Sequence, residues 1–157
     1  MTSPSPTYRA WQQLAGRPGG SVLFSAAAMI RVPYFASVLP HVVTMEPGYA
    51  EVNVPKWFFV YNHLHTVHAI ASCNAAEAAM GMAMEATVPT SHRWIPKAMN
   101  VQYLAKATTS LRAQARLTVP DFAALTEGTD VVVSVSVLDD ADAEVVHADI
   151  TTWVTPA

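Results

Sequence analysis

The chain has 157 residues, of which 52% are apolar and only 13% charged, with a formal net charge of −3. That length supports one domain with a sizeable core, and the faint acidity with no basic run excludes a nucleic-acid binder. So few charges on so short a chain point to surface buried against a partner subunit. The single cysteine, Cys73, excludes an intrachain disulfide and fits a reducing compartment.

Residues 1–6 form a polar, Pro-rich tail that is expected to be disordered. Thr7 is placed to cap a short helix over Tyr8–Ala15, ended by Gly16 and the Pro18-Gly19-Gly20 break. Ser21 is placed to cap a second helix, Val22–Arg31, stopped by Pro33. Leu23, Ala26, Ala27 and Ile30 recur there at helical spacing, so this helix either packs on the body of the domain or lids an acyl pocket. Its apolar run is too short to cross a bilayer, so no membrane association is expected. The run follows Arg9 and Arg17, as in a signal sequence, but it lies late in the chain. Arg31-Val32-Pro33 also replaces the expected small-residue cleavage site, so the expected location is the cytoplasm.

From Val42 the period changes from helical to alternating. Val42–Glu46 and Tyr49–Val54 flank Pro47-Gly48 and read as a hairpin with Ala50, Val52 and Val54 on one face. An aromatic run, Trp57-Phe58-Phe59 with Tyr61, leads into Asn62 and three histidines, His63, His65 and His68. Ala, Met and Glu then predict a helix over Val67–Glu85. Between Trp57 and His92 there is no Lys or Arg, and the only acids are Glu77 and Glu85. At helical spacing Glu77 neighbours Cys73, Asn74, Met80 and Gly81, none of them cationic. A carboxylate on a largely buried helix costs several kcal/mol, on the order of a lost ion pair, unless something uses it, which makes Glu77 the leading candidate for chemistry.

The remainder reads as strands: Ile95–Lys106, Leu111–Val119, Asp130–Leu138 and Glu144–Thr155, with a helical turn near Asp121–Thr126 and an acidic turn at Asp139-Asp140-Ala141-Asp142. A hairpin, one long buried helix and a run of antiparallel strands imply an α+β layer in which one sheet wraps the helix, the hotdog architecture. Residues 42–157 would form that domain, and residues 1–41 a tail and short helices packed on it.

Asn62-x-x-His65-x-x-His68 with Glu77 nine positions on resembles the signature of hotdog-fold acyl-CoA thioesterases of the phenylacetyl-CoA type. That pattern runs Asn, Gly, then His-Gly-Gly, with an Asp nine residues after the His. Met99-Asn100-Val101-Gln102-Tyr103-Leu104 is similar to the family's strand after the helix. The stretches NH-x-x-TVHAIA-x-CN-x-AE and RWIPK-x-M are similar to an uncharacterised branch, the DUF4442 group. The chain departs from the pattern in three places. Ala69-Ile70 stands where the family has Gly-Gly, His65 where it has Gly, and Pro96 where a Ser or Thr assists the acid.

The resemblance implies hydrolysis of an acyl-CoA thioester, with coenzyme A as part of the substrate and no separate cofactor. Glu77 would serve as general base or nucleophile, the Ala69 amide at the helix N-terminus as oxyanion donor, Asn62 to place water or substrate, and His68 to orient the loop. His63 and His65 would border the substrate, and Arg93, Lys97 and Lys106 would meet the phosphates of coenzyme A. Nine helical positions set His68 and Glu77 on opposite faces. A homodimer with antiparallel helices would bring Glu77 of one subunit to Asn62 and His68 of the other, with a dimer of dimers open as a higher assembly. Two other readings stay open. One is a hydroxyacyl-thioester dehydratase using His63 with Glu77, fourteen positions apart, and the other a non-catalytic acyl or acyl-CoA binding protein. A metal held by His63, His65 and His68 lacks a clear fourth ligand, so none is expected.

Overall fold

The computed structural model describes residues 3–157. Two N-terminal helices, α1 (Pro6–Leu14) and α2 (Gly20–Arg31), and a 3-10 turn at Pro33–Ser37 precede the hairpin β1 (His41–Glu46) and β2 (Tyr49–Val54). The long helix α3 (Ala69–Thr87) follows, then β3 (His92–Tyr103), β4 (Leu111–Arg116), β5 (Thr129–Leu138) and β6 (Glu144–Pro156). The six strands form one antiparallel sheet in the order β1-β2-β4-β5-β6-β3. The sheet wraps α3, which is the hotdog fold.

Small side chains make that wrapping possible. Ala75, Ala76, Ala79 and Ala83 of α3 are fully buried, as are Ala50, Ala113, Ala115 and Ala148 on the sheet. Alanine facing alanine lets the helix axis approach the sheet closely, and Met80 and Met84 fill what remains. Leu111, Ala113 and Ala115 point inward on β4 while Arg112, Gln114 and Arg116 point outward, as the alternation predicts.

The helix ends differ from the sequence reading. Ser5, not Thr7, caps α1: its hydroxyl accepts from the Tyr8 amide at 3.0 Å and donates to the Glu85 carbonyl at 2.7 Å, near the C-terminal end of α3. The Ser3 carbonyl accepts from the Thr90 amide, so this part of the expected disordered tail is tied to the domain; residues 1–2 lie outside the described residues. Gly19, in the left-handed region at φ 72°, is the N-cap of α2, and Ser21 instead bonds His41 at 3.0 Å. Gly20 allows the helices their close approach, because a Cβ there would lie 1.8 Å from the Leu14 carbonyl oxygen.

The buried face of α2 is also not the expected one. Leu23 is 60% and Ile30 81% exposed, whereas Phe24 is buried edge-on against Trp11 at 5.2 Å. Ser25 fixes the orientation, accepting from the Val42 amide and donating to the Ser21 carbonyl. The strand β3 starts at His92 rather than Ile95, while the Asp121–Thr126 segment holds a short turn, as expected, closed by the Ala124 amide on the Asp121 carbonyl at 3.1 Å.

On the outer sheet face, His147 Nδ1 meets Glu144 at 2.8 Å and its Nε2 meets Ser134 at 3.3 Å. The Glu144 hydrogen bond raises the His147 pKa, with the Asp149 charge adding to it, and the same bond lowers that of Glu144, helped by Ser136. The His147 contribution to stability is present below its ordinary value and lost as pH rises through its raised one. The Glu144 contribution is present above its ordinary value and lost as pH falls through its lowered one. Thermal melts of wild type and His147→Gln should therefore differ most near pH 5–6, between the ordinary values of the two groups, and converge as the pH rises through the raised His147 value. The pair is about a third exposed, so the difference stays below about 1 kcal/mol.

Candidate functional site

The segment before α3 is a folded loop held by Asn62. Its Oδ1 accepts from the Leu64 and Thr66 amides at 2.9 and 3.1 Å, and its Nδ2 donates to the Thr66 hydroxyl at 2.8 Å. This is an Asx-type turn, so Asn62 builds the loop and keeps one side-chain N–H free. His65 takes a positive φ of 57° within the turn, a conformation that suits the Gly of the resembled pattern. His63, His65 and His68 are exposed. Among the described residues no cluster of three or more His, Cys, Asp or Glu is arranged to hold a metal.

His68 is the N-cap of α3. Its backbone N–H donates to the Val60 carbonyl, and its ring Nδ1 accepts from the Ile70 amide at 3.1 Å. An accepting Nδ1 places the ring proton on Nε2, which faces outward. The Ala69 amide has no partner among the described residues. The helix start thus presents a free N–H beside an imidazole N–H, at the positive end of the helix dipole.

Glu77 lies nine residues further, about 13.5 Å along the helix axis, so one subunit does not bring it to His68. It shares a face of α3 with Ile70, Cys73 and Gly81. Cys73 Sγ lies 3.3 Å from the Tyr103 hydroxyl, and that hydrogen bond pushes the Tyr103 phenol up. A Cβ on Gly81 would lie 3.9 Å from the Trp94 ring. Glu77 sits one turn from each, half-buried, with no hydrogen bond or ion pair among the described residues. It also lines a half-open cavity of about 400 Å³ bordered by α1, α2, the 3-10 turn, the β1–β2 hairpin, α3 and Trp94 of β3. The wall is nearly all apolar; Arg31, Glu77 and Glu85 carry its charged groups. Arg31 and Glu85 were not singled out from the sequence, although Glu85 falls on the Glu77 face two turns on.

The three candidate phosphate contacts are dispersed. Arg93 and Lys97 lie toward the start of β3, Lys106 beyond its end; at about 3.3 Å per residue the strand separates them by about 30 Å. Lys97 Nζ donates to both oxygens of Asp130 at 2.9 Å and lies over the Trp153 ring. His63 sits in the loop ahead of the helix, two and more turns before Glu77, so the chain does not pair them locally.

No curated protein matches the sequence. A solved structural-genomics protein, APC5556, is 42% identical over 96% of this chain and 99% of its own, with a TM-score of 0.82. A Pseudomonas aeruginosa protein of unknown function, PA5026, described as a probable thioesterase, is 17% identical over 100% of both chains, with a TM-score of 0.78. A mutant of the Staphylococcus aureus thioesterase SAV0944 is 15% identical over 79% of this chain and 99% of its own, with a TM-score of 0.69. The last two are similar in fold. The family described as a domain of unknown function, DUF4442, matches residues 20–154, and the chain belongs to it.

Proposed function

We propose that the protein is an acyl-CoA thioesterase whose catalytic carboxylate is Glu77. The observation that carries this reading is a carboxylate with no partner of its own, set in the wall of an apolar cavity. The fold neighbours described as thioesterases support it. Glu77 takes a proton from water as the water oxygen attacks the thioester carbon, or attacks that carbon itself. The carbonyl oxygen gains the negative charge and is held by the Ala69 amide and the His68 Nε2–H. The C–S bond then breaks, the thiolate leaves with the proton that Glu77 took from water, and a carboxylic acid remains. On the direct route the C–S break leaves a mixed anhydride on Glu77, which a water hydrolyses to the acid and the restored Glu77 carboxyl, whose proton goes to the thiolate.

The oxyanion donors come from a second subunit. β3 is one of the two edge strands of the sheet, twelve residues long, with one backbone edge unpaired. Its inward side chains Met99 and Tyr103 are 36% and 54% exposed, and Ile70 on the neighbouring helix face is 54% exposed. A two-fold axis through this surface runs two α3 helices antiparallel and sets Glu77 of one against the loop of the other. The test is release of free thiol from acyl-CoAs with short, long and aromatic acyl groups. Hydrolysis of at least one class supports the reading, and none across the panel ends it.

A further inference from the structure

We propose that the cavity beside Glu77 is a slot for a straight, saturated acyl chain of about ten to thirteen carbons, with α1 and α2 setting the limit; this rests on the thioesterase reading for the chemistry but not for the binding. Glu77 and Glu85, both in the cavity wall, are eight residues apart, so the slot runs at least about 12 Å along α3. An extended alkyl chain rises about 1.25 Å per bond, which places about ten carbons in that length. The volume of about 400 Å³, at about 30 Å³ per water-sized group, gives about thirteen.

Gly81 marks the slot on the α3 side. It lies midway between the two glutamates, in the interior of a helix, where glycine costs about 1 kcal/mol against alanine. Packing does not require it, since an added Cβ meets only the Trp94 ring, at an ordinary 3.9 Å. The missing side chain leaves room for a ligand. Facing it, α2 presents Ala27 and Ala28 to the cavity rather than larger residues, and Phe24 anchors that wall against Trp11.

The experiment has two readouts on the full chain. Hydrolysis of saturated acyl-CoAs from four to eighteen carbons should rise in kcat/KM by about four-fold per added methylene and stop rising near ten to thirteen carbons. Displacement of bound dansyl-undecanoate by free saturated fatty acids should follow the same profile. Ala28→Phe fills the slot from α2 and Gly81→Leu fills it from α3, so a folding defect in one leaves the other to decide. Each should lower the ratio of dodecanoyl to butanoyl turnover at least ten-fold. A length-dependent displacement profile without hydrolysis removes the thioesterase reading and keeps the slot. Hydrolysis with a flat length profile, or folded variants with an unchanged ratio, overturns the slot.

Discussion

Glu77→Gln should lower acyl-CoA hydrolysis by about a thousand-fold in kcat while leaving KM within a few-fold. The amide has the shape and volume of the carboxylate, so the cavity stays filled as before. It can neither accept the water proton nor attack the carbonyl, and loss of such a group costs about 10²–10⁴ in rate. Equal losses in kcat and kcat/KM would show an interaction made only in the transition state. Because Glu77 has no ion-pair partner among the described residues, neutralising it leaves no opposite charge stranded, and the melting temperature should hold or rise slightly. A fall in stability with activity retained would instead mark Glu77 as structural.

The second large effect concerns assembly. Ile70→Lys combined with Tyr103→Lys places four cations across a two-fold apolar interface, two from each subunit. Desolvating unpaired charges costs several kcal/mol each, and a loss of about 5 kcal/mol weakens a dimer several thousand-fold. Sedimentation should show a monomer at micromolar concentration, with thiol release reduced at least a hundred-fold. Both residues are exposed on the single chain, at 54% each, so the monomer should keep its secondary structure. An active monomer would place the whole site within one subunit.

The strands and the central helix were legible because each carries its own period. Leu111-Arg112-Ala113-Gln114-Ala115-Arg116 alternates residue by residue, and no Pro interrupts the Ala- and Met-rich run from Ala69 before Pro89. Glu77 was legible as a carboxylate without a helical partner. The caps were misread by two residues each, since Ser5 and Thr7, or Gly19 and Ser21, are equally plausible in sequence; the contact of Ser5 with α3 and of Ser21 with His41 chooses between them. The buried face of α2 was misread because Phe24, not the Leu23–Ile30 stripe, found an aromatic partner thirteen residues away. The pairing of Lys97 with Asp130 spans thirty-three positions and reaches from β3 across β6 to β5, which local patterns do not reveal. The cavity was least legible of all. A void has no residues of its own, and its walls come from seven separate elements.

Subunit mixing tests most directly whether Glu77 works with the loop of a second copy. One inactive protein carries Glu77→Gln, and the other carries Asn62→Ala with His68→Ala, losing a helix cap at about 1 kcal/mol. Each alone should be nearly inert. In a mixed dimer, one site draws Glu77 from the loop variant and the intact loop from its partner, while the other site has neither. Equal amounts with free exchange make about half the dimers mixed, so roughly a quarter of wild-type thiol release should return. Mixed dimers verified by native mass spectrometry but no more active than the sum of the two separate proteins would contradict the shared site.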